Sequence, residues 1–454
     1  MTLIIMKELY EKYVECGCRV TTDSRAISGG EMFFALKGEN FDGNAFALKA
    51  LEAGAARAVI SSDALPGESD PRLIRVPDTY AALRELATYH REHALGSERL
   101  KVIGLTGTNG KTTTKELIKA VLSRKYRVCA TEGNLNNDIG VPLSLLKIRP
   151  DTQIAVIEMG ANHPDDITKL VKVSRPDYGL ITNVGKAHLL GFGSFEGVKA
   201  AKGELYKWLG SHGGLIFLNE DDRDLREMAS KEPCHCFGYG IKYQNAEILP
   251  TSAEQPFLAM SIDGVHISTN LIGSYNATNV LAAIAVGEYF GVPRKDAIDA
   301  IEAYSPGNNR SQMSRTASNT LIMDAYNANP SSMNAALDNF AAMESDLKIA
   351  LLGDMRELGD DSRKEHICIV SKLADLVMTR RLDRVYLVGD EFREALCDFS
   401  RSHLTLMELA GPAFFYCDTS DSLAAYLKDN PVSGATILIK GSRGIQMEKT
   451  IPSL

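Results

Sequence analysis

Nothing in this 454-residue chain is apolar for long enough to cross a bilayer, which takes about 20 such residues in a row. The opening Met1-Thr2-Leu3-Ile4-Ile5-Met6 gives way at once to Lys7-Glu8 and is too short for a signal-peptide core. A cytoplasmic protein with no membrane span is the expectation. Basic excess is missing too. Lys and Arg number 50 against 58 Asp and Glu, and the net charge of −8 argues against a nucleic-acid-binding surface. It leaves room for a local basic cleft around a phosphorylated small molecule. The 8 cysteines never form C-x-x-C, and the close pairs Cys16/Cys18 and Cys234/Cys236 lack the spacing of a zinc ribbon or a redox turn. Cys234-His235-Cys236 has no second cluster to complete a tetrahedron and reads as a reduced strand segment. Low-complexity tracts, internal repeats and long linkers are absent as well. What is there is an ordinary globular composition, 44% apolar and 24% charged. The length exceeds one hydrophobic core, so roughly two to four domains are expected.

Short apolar runs alternate with helical patterns. Residues 1–98 carry strands at 31–36 and 56–60 around a helical 46–53. A last helical pattern runs to about Leu95, and Gly96-Ser97-Glu98 supplies turn chemistry. From Lys101, runs at 102–105, 154–157, 179–182 and 214–218 are separated by helical patterns, the sign of a parallel sheet with crossover helices. Near Arg315 another series begins, with runs at 320–323, 348–352, 384–388 and 435–439, and reads as a smaller doubly wound unit. The expected fold class is α/β, in three domains at 1–98, 99–313 and 314–454.

The segment from Val102 to Leu122 carries the most chemistry. An apolar strand feeds the turn Gly107-Thr108-Asn109-Gly110-Lys111-Thr112-Thr113, and a helix-forming run follows. Such a turn aims backbone N–H groups and a helix N-terminus at one point, and Lys111 adds a full positive charge. That suits a nucleotide triphosphate, with the Thr112 hydroxyl placed for Mg²⁺. The strict phosphate-loop pattern wants glycine where this chain has Leu105, with Gly104 and Gly107 on either side. The strand–turn–helix context survives that departure; the bland alternative is a tight turn. Polar residues also end the following strands, where ligands of open α/β sheets bind. Glu158 closes Ile154-Ala155-Val156-Ile157 and is a hard oxygen ligand for Mg²⁺ if its strand lies beside the phosphate turn. Otherwise it is a capping or surface glutamate. His188 follows Thr182-Asn183-Val184-Gly185-Lys186-Ala187, and on its own reads equally as a loop histidine.

Together with Ala201-Lys202-Gly203-Glu204 and Tyr275-Asn276-Ala277-Thr278-Asn279, these segments resemble the Mur ligases, cytosolic enzymes that build the peptide stem of peptidoglycan. The resemblance spans nearly the whole chain in order. Gly133 to Leu143, Asp324 to Pro330 and Leu352 to Gly359 are similar to the branch that adds D-alanyl-D-alanine. The Asp-Asn-Pro-Arg signature of the branch adding the third stem residue is absent.

The resemblance implies a small N-terminal UDP-binding domain, a central ATPase domain and a C-terminal Rossmann-like domain for the dipeptide. It implies an ATP- and Mg²⁺-dependent ligase that acts on a UDP-N-acetylmuramoyl-tripeptide and D-Ala-D-Ala through an acyl phosphate. Gly107, Thr108, Asn109, Gly110, Lys111, Thr112 and Thr113 would hold the phosphates. Asn276 and Asn279 would lie near the adenine, although Asn276 could equally cap the helix it begins. Arg310 would approach the γ-phosphate, and Asp324 would contact nucleotide or the incoming amine. Thr112 and Glu158 would hold a first metal. His188 would help hold a second, with Lys202 as the lysine that the family carbamylates. Ser24, in Thr22-Asp23-Ser24-Arg25, would meet uracil or diphosphate, the bland reading of Asp23-Ser24 being a turn or cap. Asn134, Asn136 and Asn137 would bind the muramoyl substrate, and Tyr326, Asn327 and Asn329 the dipeptide. Where the family usually has histidine this chain has Asn44. A monomer is expected. The competing readings are a sister Mur ligase, a folylpolyglutamate synthase-like ligase, a nucleotide-regulated binding module and an inactive homologue.

Overall fold

A computed structural model describes residues 3–38, 41–94, 100–252, 255–306, 312–324 and 327–454. Four sheets organise it. The first is parallel, in the order β1 (Val20–Thr21), β2 (Met32–Phe34), β3 (Arg57–Ser61), β4 (Leu73–Val76). The helices Leu3–Glu15 and Thr79–His93 belong to the same unit. These two helices dock it onto the next unit. The Tyr13 hydroxyl donates to the Leu146 carbonyl at 2.7 Å, and His90 Nε2 lies 2.9 Å from the Ile148 carbonyl.

The second sheet contains β5 (Lys101–Thr106), β6 (Val128–Ala130), β7 (Ile154–Glu158), β8 (Tyr178–Ile181), β9 (Leu215–Asn219) and β10 (His235–Tyr239). All are parallel, in the order β10-β9-β8-β5-β7-β6, so the phosphate-turn strand β5 lies between β7 and β8. Every residue of β7, and all of β5 except Lys101, is buried, as a sheet covered on both faces requires. A three-stranded antiparallel sheet follows: β11 (Ala246–Ile248), β12 (Phe257–Ile262) and β13 (Val265–Ile272). The expected run of parallel strands did not include it. Along β12, partly exposed and buried positions alternate from Phe257 to Ile262, because only one face is packed.

The last sheet has the order β14-β15-β19-β16-β17-β18, with only β14 antiparallel. Its strands are β14 (Gln312–Arg315), β15 (Thr320–Asp324), β16 (Lys348–Gly353), β17 (Arg384–Val388), β18 (Phe414–Cys417) and β19 (Thr436–Lys440). The runs expected at 320, 348, 384 and 435 are its four inner strands; the edges β14 and β18 were not expected. Cys236 sits in β10, and the cysteines are free. Among the described residues, no helix is long and apolar enough to cross a membrane.

Candidate functional site

Because β5 pairs with both β7 and β8, the loops leaving the carboxyl ends of three adjacent strands converge. Gly107 and Gly110 take positive φ, +147° and +78°. A Cβ on Gly107 would stand 1.9 Å from Thr182 Oγ1, so glycine is required there for close approach to β8. The turn is clamped to that neighbour. Asn109 N donates to Asn183 Oδ1 at 3.0 Å, and the Thr182 hydroxyl donates to the Asn109 carbonyl at 2.6 Å. Lys111 Nζ folds back onto the carbonyls of Gly107 and Thr108, at 2.8 and 3.1 Å.

Glu158 is buried at the end of β7, with both carboxylate oxygens engaged. The Thr112 hydroxyl donates to Oε2 at 2.9 Å, and Asn136 Nδ2 to Oε1 at 2.8 Å. Lys115, wholly buried one helical turn beyond Lys111, brings Nζ to 4.0 Å from Oε2, 2.8 Å from Glu116 and 2.5 Å from the Thr131 carbonyl. Thr112 and Glu158 together offer a hydroxyl and a carboxylate, the hard oxygen donors that Mg²⁺ takes alongside phosphate and water. This donor set fits the ion. Among the described residues no group of three or more His, Cys, Asp or Glu forms a metal cage, so other oxygens must complete any coordination.

His188 adopts a left-handed backbone, φ +52°, and its Nδ1 lies 2.6 Å from Glu357 Oε2 in the C-terminal unit. That hydrogen bond holds the Glu357 carboxyl below its ordinary range. Lys202, buried in the helix Phe195–Ser211, has neither hydrogen bond nor ion pair among the described residues. Desolvation, helped by the charge of Lys111, lowers its pKa to about 7.

A cavity of about 550 Å³ unites much of this. Thr108, Asn109, Gly110, Lys111, Thr113, Asn134, Asn136, Glu158, His188, Asn276 and Asn279 line it from the central unit; Asp324, Asn327 and Asn329 line it from the C-terminal one. Lys440 joins them, a residue outside those expected from the sequence. It ends β19 in register with Asp324, and its buried Nζ donates to Asp324 Oδ2 at 2.6 Å and to the Asn327 carbonyl at 3.2 Å. A polar residue closing an apolar run was the available signal, the same one that singled out Glu158. Besides His188–Glu357, contacts that join the units beside the cavity include Asn329 Nδ2 to Asn109 Oδ1 at 2.9 Å, Lys186 N to Ser331 Oγ at 3.1 Å, and Lys186 Nζ to Glu365 at 2.6 Å. A larger cleft, about 710 Å³, holds Arg315, Glu344 and Asp346 and none of the predicted residues. It lies at the opposite ends of β15, β16 and β19, away from where such sheets bind ligands.

Other expectations are redirected. Asn276 stands at a helix start without capping it; its Nδ2 donates to the Ile272 carbonyl at 2.8 Å, and its Oδ1 accepts from Asn279 Nδ2 at 2.8 Å. Asn137 Oδ1 accepts from the backbone N–H of Gly140 at 2.8 Å, a local turn contact, and its side chain does not line the cavity. Thr112, Lys202 and Ser24 do not line it either. Asp23 caps the short helix that begins at Ser24 by accepting from Arg25 N, as the bland reading held. Asn44 is tied within its own unit, accepting from Ser61 N at 2.9 Å and donating to Asp42 at 2.7 Å. Arg310 and Tyr326 lie outside the described residues.

Three family models match in sequence: "Mur ligase family, catalytic domain" over residues 19–91, "Mur ligase middle domain" over 105–287, and "Mur ligase, glutamate ligase domain" over 309–443. The UDP-N-acetylmuramoyl-tripeptide--D-alanyl-D-alanine ligase of Bacillus subtilis is 35% identical, over 98% of this chain and 94% of that protein. The crystal structure of MurF from Acinetobacter baumannii superposes with a TM-score of 0.81 at 31% identity, covering 96% of this chain and 93% of that one. MurF ligase from Thermotoga maritima, solved in complex with ADP, gives 0.79 at 25% identity, covering 96% of each chain.

Proposed function

The chain belongs to the Mur ligase family, and from that membership we propose that it is an ATP-dependent ligase joining D-alanyl-D-alanine to a UDP-N-acetylmuramoyl-tripeptide in peptidoglycan precursor synthesis. The supporting observation is one cavity lined by the phosphate turn, Glu158 and His188 from one sheet and by Asp324, Asn327 and Asn329 from another. A nucleotide and an amine brought by two units meet in such a space.

Joining them brings a carboxylate against a triphosphate, so the site must offset dense negative charge. The N–H groups of the turn and the Lys111 ammonium take the phosphates. Thr112 and Glu158 would hold one Mg²⁺, and His188 with carbamylated Lys202 a second; bound there, the ions neutralise charge as it shifts between phosphoryl oxygens. A tripeptide carboxylate oxygen attacks the γ-phosphorus, the bond to ADP breaks, and an acyl phosphate results. The dipeptide amine then attacks the carbonyl, and the tetrahedral intermediate expels phosphate. Asp324, held by Lys440, offers a carboxylate to the incoming ammonium, while Asn327 and Asn329 orient the dipeptide. Asn276 and Asn279, locked to each other, shape the adenine end. Lys202 suits carbamylation because a buried amine with a pKa of about 7 is substantially neutral, and only the neutral amine adds to carbon dioxide. Residues 1–98 take the UDP moiety, 99–313 the ATP and 314–454 the dipeptide, in a cytoplasmic monomer.

The test is phosphate release from ATP with UDP-muramoyl-tripeptide and Mg²⁺ present. Release that requires D-Ala-D-Ala supports the reading. Release that instead requires glutamate and a folate, with the muramoyl substrate inert, sinks it.

A further inference from the structure

Two non-glycine residues in the left-handed region meet across the boundary between the central and C-terminal units. His188 has φ +52° and Glu357 has φ +67°, and their side chains join at 2.6 Å. Left-handed backbone at such residues persists only where the surroundings fix it, and it gathers at functional sites. The surroundings here do fix Glu357. Just before it, Met355 N donates to His366 Nε2 at 3.0 Å and Arg356 N to Ser442 Oγ at 2.9 Å. Its own carbonyl accepts from Leu190 N at 3.3 Å, and Lys186 pairs with Glu365 on the same side. The loop carrying His188 is therefore gripped at 186, 188 and 190 by a segment of the other unit.

The chemical consequence lies in the imidazole. A carboxylate acts on Nδ1 only as an acceptor, so it keeps the proton there and leaves the lone pair on Nε2, the nitrogen without a partner among the described residues. Without such an acceptor the neutral ring favours the proton on Nε2, which leaves nothing there to bind a cation. A carboxylate behind a metal-binding histidine is a recurrent way to fix tautomer and ring orientation. We infer that Glu357 is a positioning residue for His188, supplied by the C-terminal unit, that presents Nε2 to the nucleotide-bound cation only while the two units are docked. This rests on the proposed role of His188. It makes assembly of the cation site depend on arrival of the dipeptide-binding unit.

Glu357→Gly removes the carboxylate and tolerates the left-handed backbone, so the fold is retained; Glu357→Gln keeps an acceptor oxygen. Two readouts avoid turnover. The first is ¹⁵N-histidine NMR at about pH 8.5, where an ordinary imidazole is neutral, with the His188 signal identified by its loss in His188→Asn. The second is Mn²⁺ binding to the ADP complex, followed by electron paramagnetic resonance. Wild type and Glu357→Gln should carry the His188 proton on Nδ1. Glu357→Gly should shift it to Nε2 and weaken Mn²⁺ binding roughly tenfold or more. An unchanged tautomer or an unchanged Mn²⁺ affinity in Glu357→Gly overturns the inference. Lack of ligase turnover in the wild type would count against the proposed activity instead, whichever way these readouts fall.

Discussion

Asn329 performs two tasks with its two amide atoms, and substitution can separate them. The backbone N–H of Ser332 can only donate, so the atom facing it at 2.9 Å must be Oδ1; Nδ2 is then the atom that reaches Asn109 Oδ1 at 2.9 Å. The first contact belongs to a capping box that starts the helix Pro330–Ala342, and the second ties that helix start to the phosphate turn. Asn329→Ala loses both. The cap contributes about 1 kcal/mol and the partly buried hydrogen bond about 1 kcal/mol more, so unfolding free energy should fall by about 2 kcal/mol. In a unit of this size that lowers the melting temperature by roughly 5 °C. Asn329→Asp keeps the acceptor for Ser332 but loses the donor to Asn109 and puts a carboxylate beside the triphosphate. It should melt about 2–3 °C below wild type, since caps of Asp and Asn are equivalent and only the hydrogen bond is lost, while ATP turnover falls at least tenfold, the equivalent of about 1.4 kcal/mol. Calorimetry and phosphate release on the same preparations check this. If both variants melt alike, the cap does not set stability here. If Asn329→Asp turns over normally, the bridge to Asn109 is not part of the catalytic assembly.

Two further outcomes concern Thr112 and the buried Lys202. Thr112→Val is isosteric but removes the hydroxyl that meets Glu158 at 2.9 Å; half-maximal turnover should then need at least about tenfold more Mg²⁺, and an unchanged Mg²⁺ dependence would remove Thr112 from the metal site. Lys202 has a folded-state pKa of about 7 against an ordinary 10.5, so below about 7 its charge is forced into a dry site, and stability rises as pH climbs from there towards 10.5. In buffer free of carbon dioxide, the wild type should gain about 2 kcal/mol relative to Lys202→Met between about pH 7 and 9 in urea melts. Parallel pH profiles would mean that the lysine is not desolvated.

How much of this could be read beforehand depended on whether the signal was local. The phosphate turn is a local device: a strand, glycines where φ must be positive, and a helix start, all within consecutive residues. Glu158 and Asp324 were legible because a polar residue ending an apolar strand has little reason to be there except a ligand or a partner. Lys440 obeys the same rule and was equally available. Lys115 was not, because a lysine four residues beyond Lys111 on a helix looks solvated, and only the fold brings its Nζ to Thr131 and Glu158. Asn276 illustrates the opposite failure. Its position before a helix suggests a cap, but the side chain finds Ile272 and Asn279 instead, a choice made by the turn leaving β13. In the antiparallel sheet, β11 is three residues long and β13 breaks its apolar residues with His266, Ser268, Thr269 and Asn270, so a search for continuous apolar runs passes over them. Glu357 lies in the segment from Leu352 to Gly359 that the resemblance singles out, but nothing local marks its tie to His188, which appears only in the fold.

Attack of the tripeptide carboxylate itself on ATP can be followed through one oxygen atom. Tripeptide substrate labelled with ¹⁸O in its terminal carboxylate is turned over with ATP and D-Ala-D-Ala, and the released phosphate is analysed by mass or by ³¹P NMR. If an acyl phosphate forms and the amine expels it, one labelled oxygen from the carboxylate leaves in each phosphate. Phosphate free of label, with amide product formed, would contradict the account.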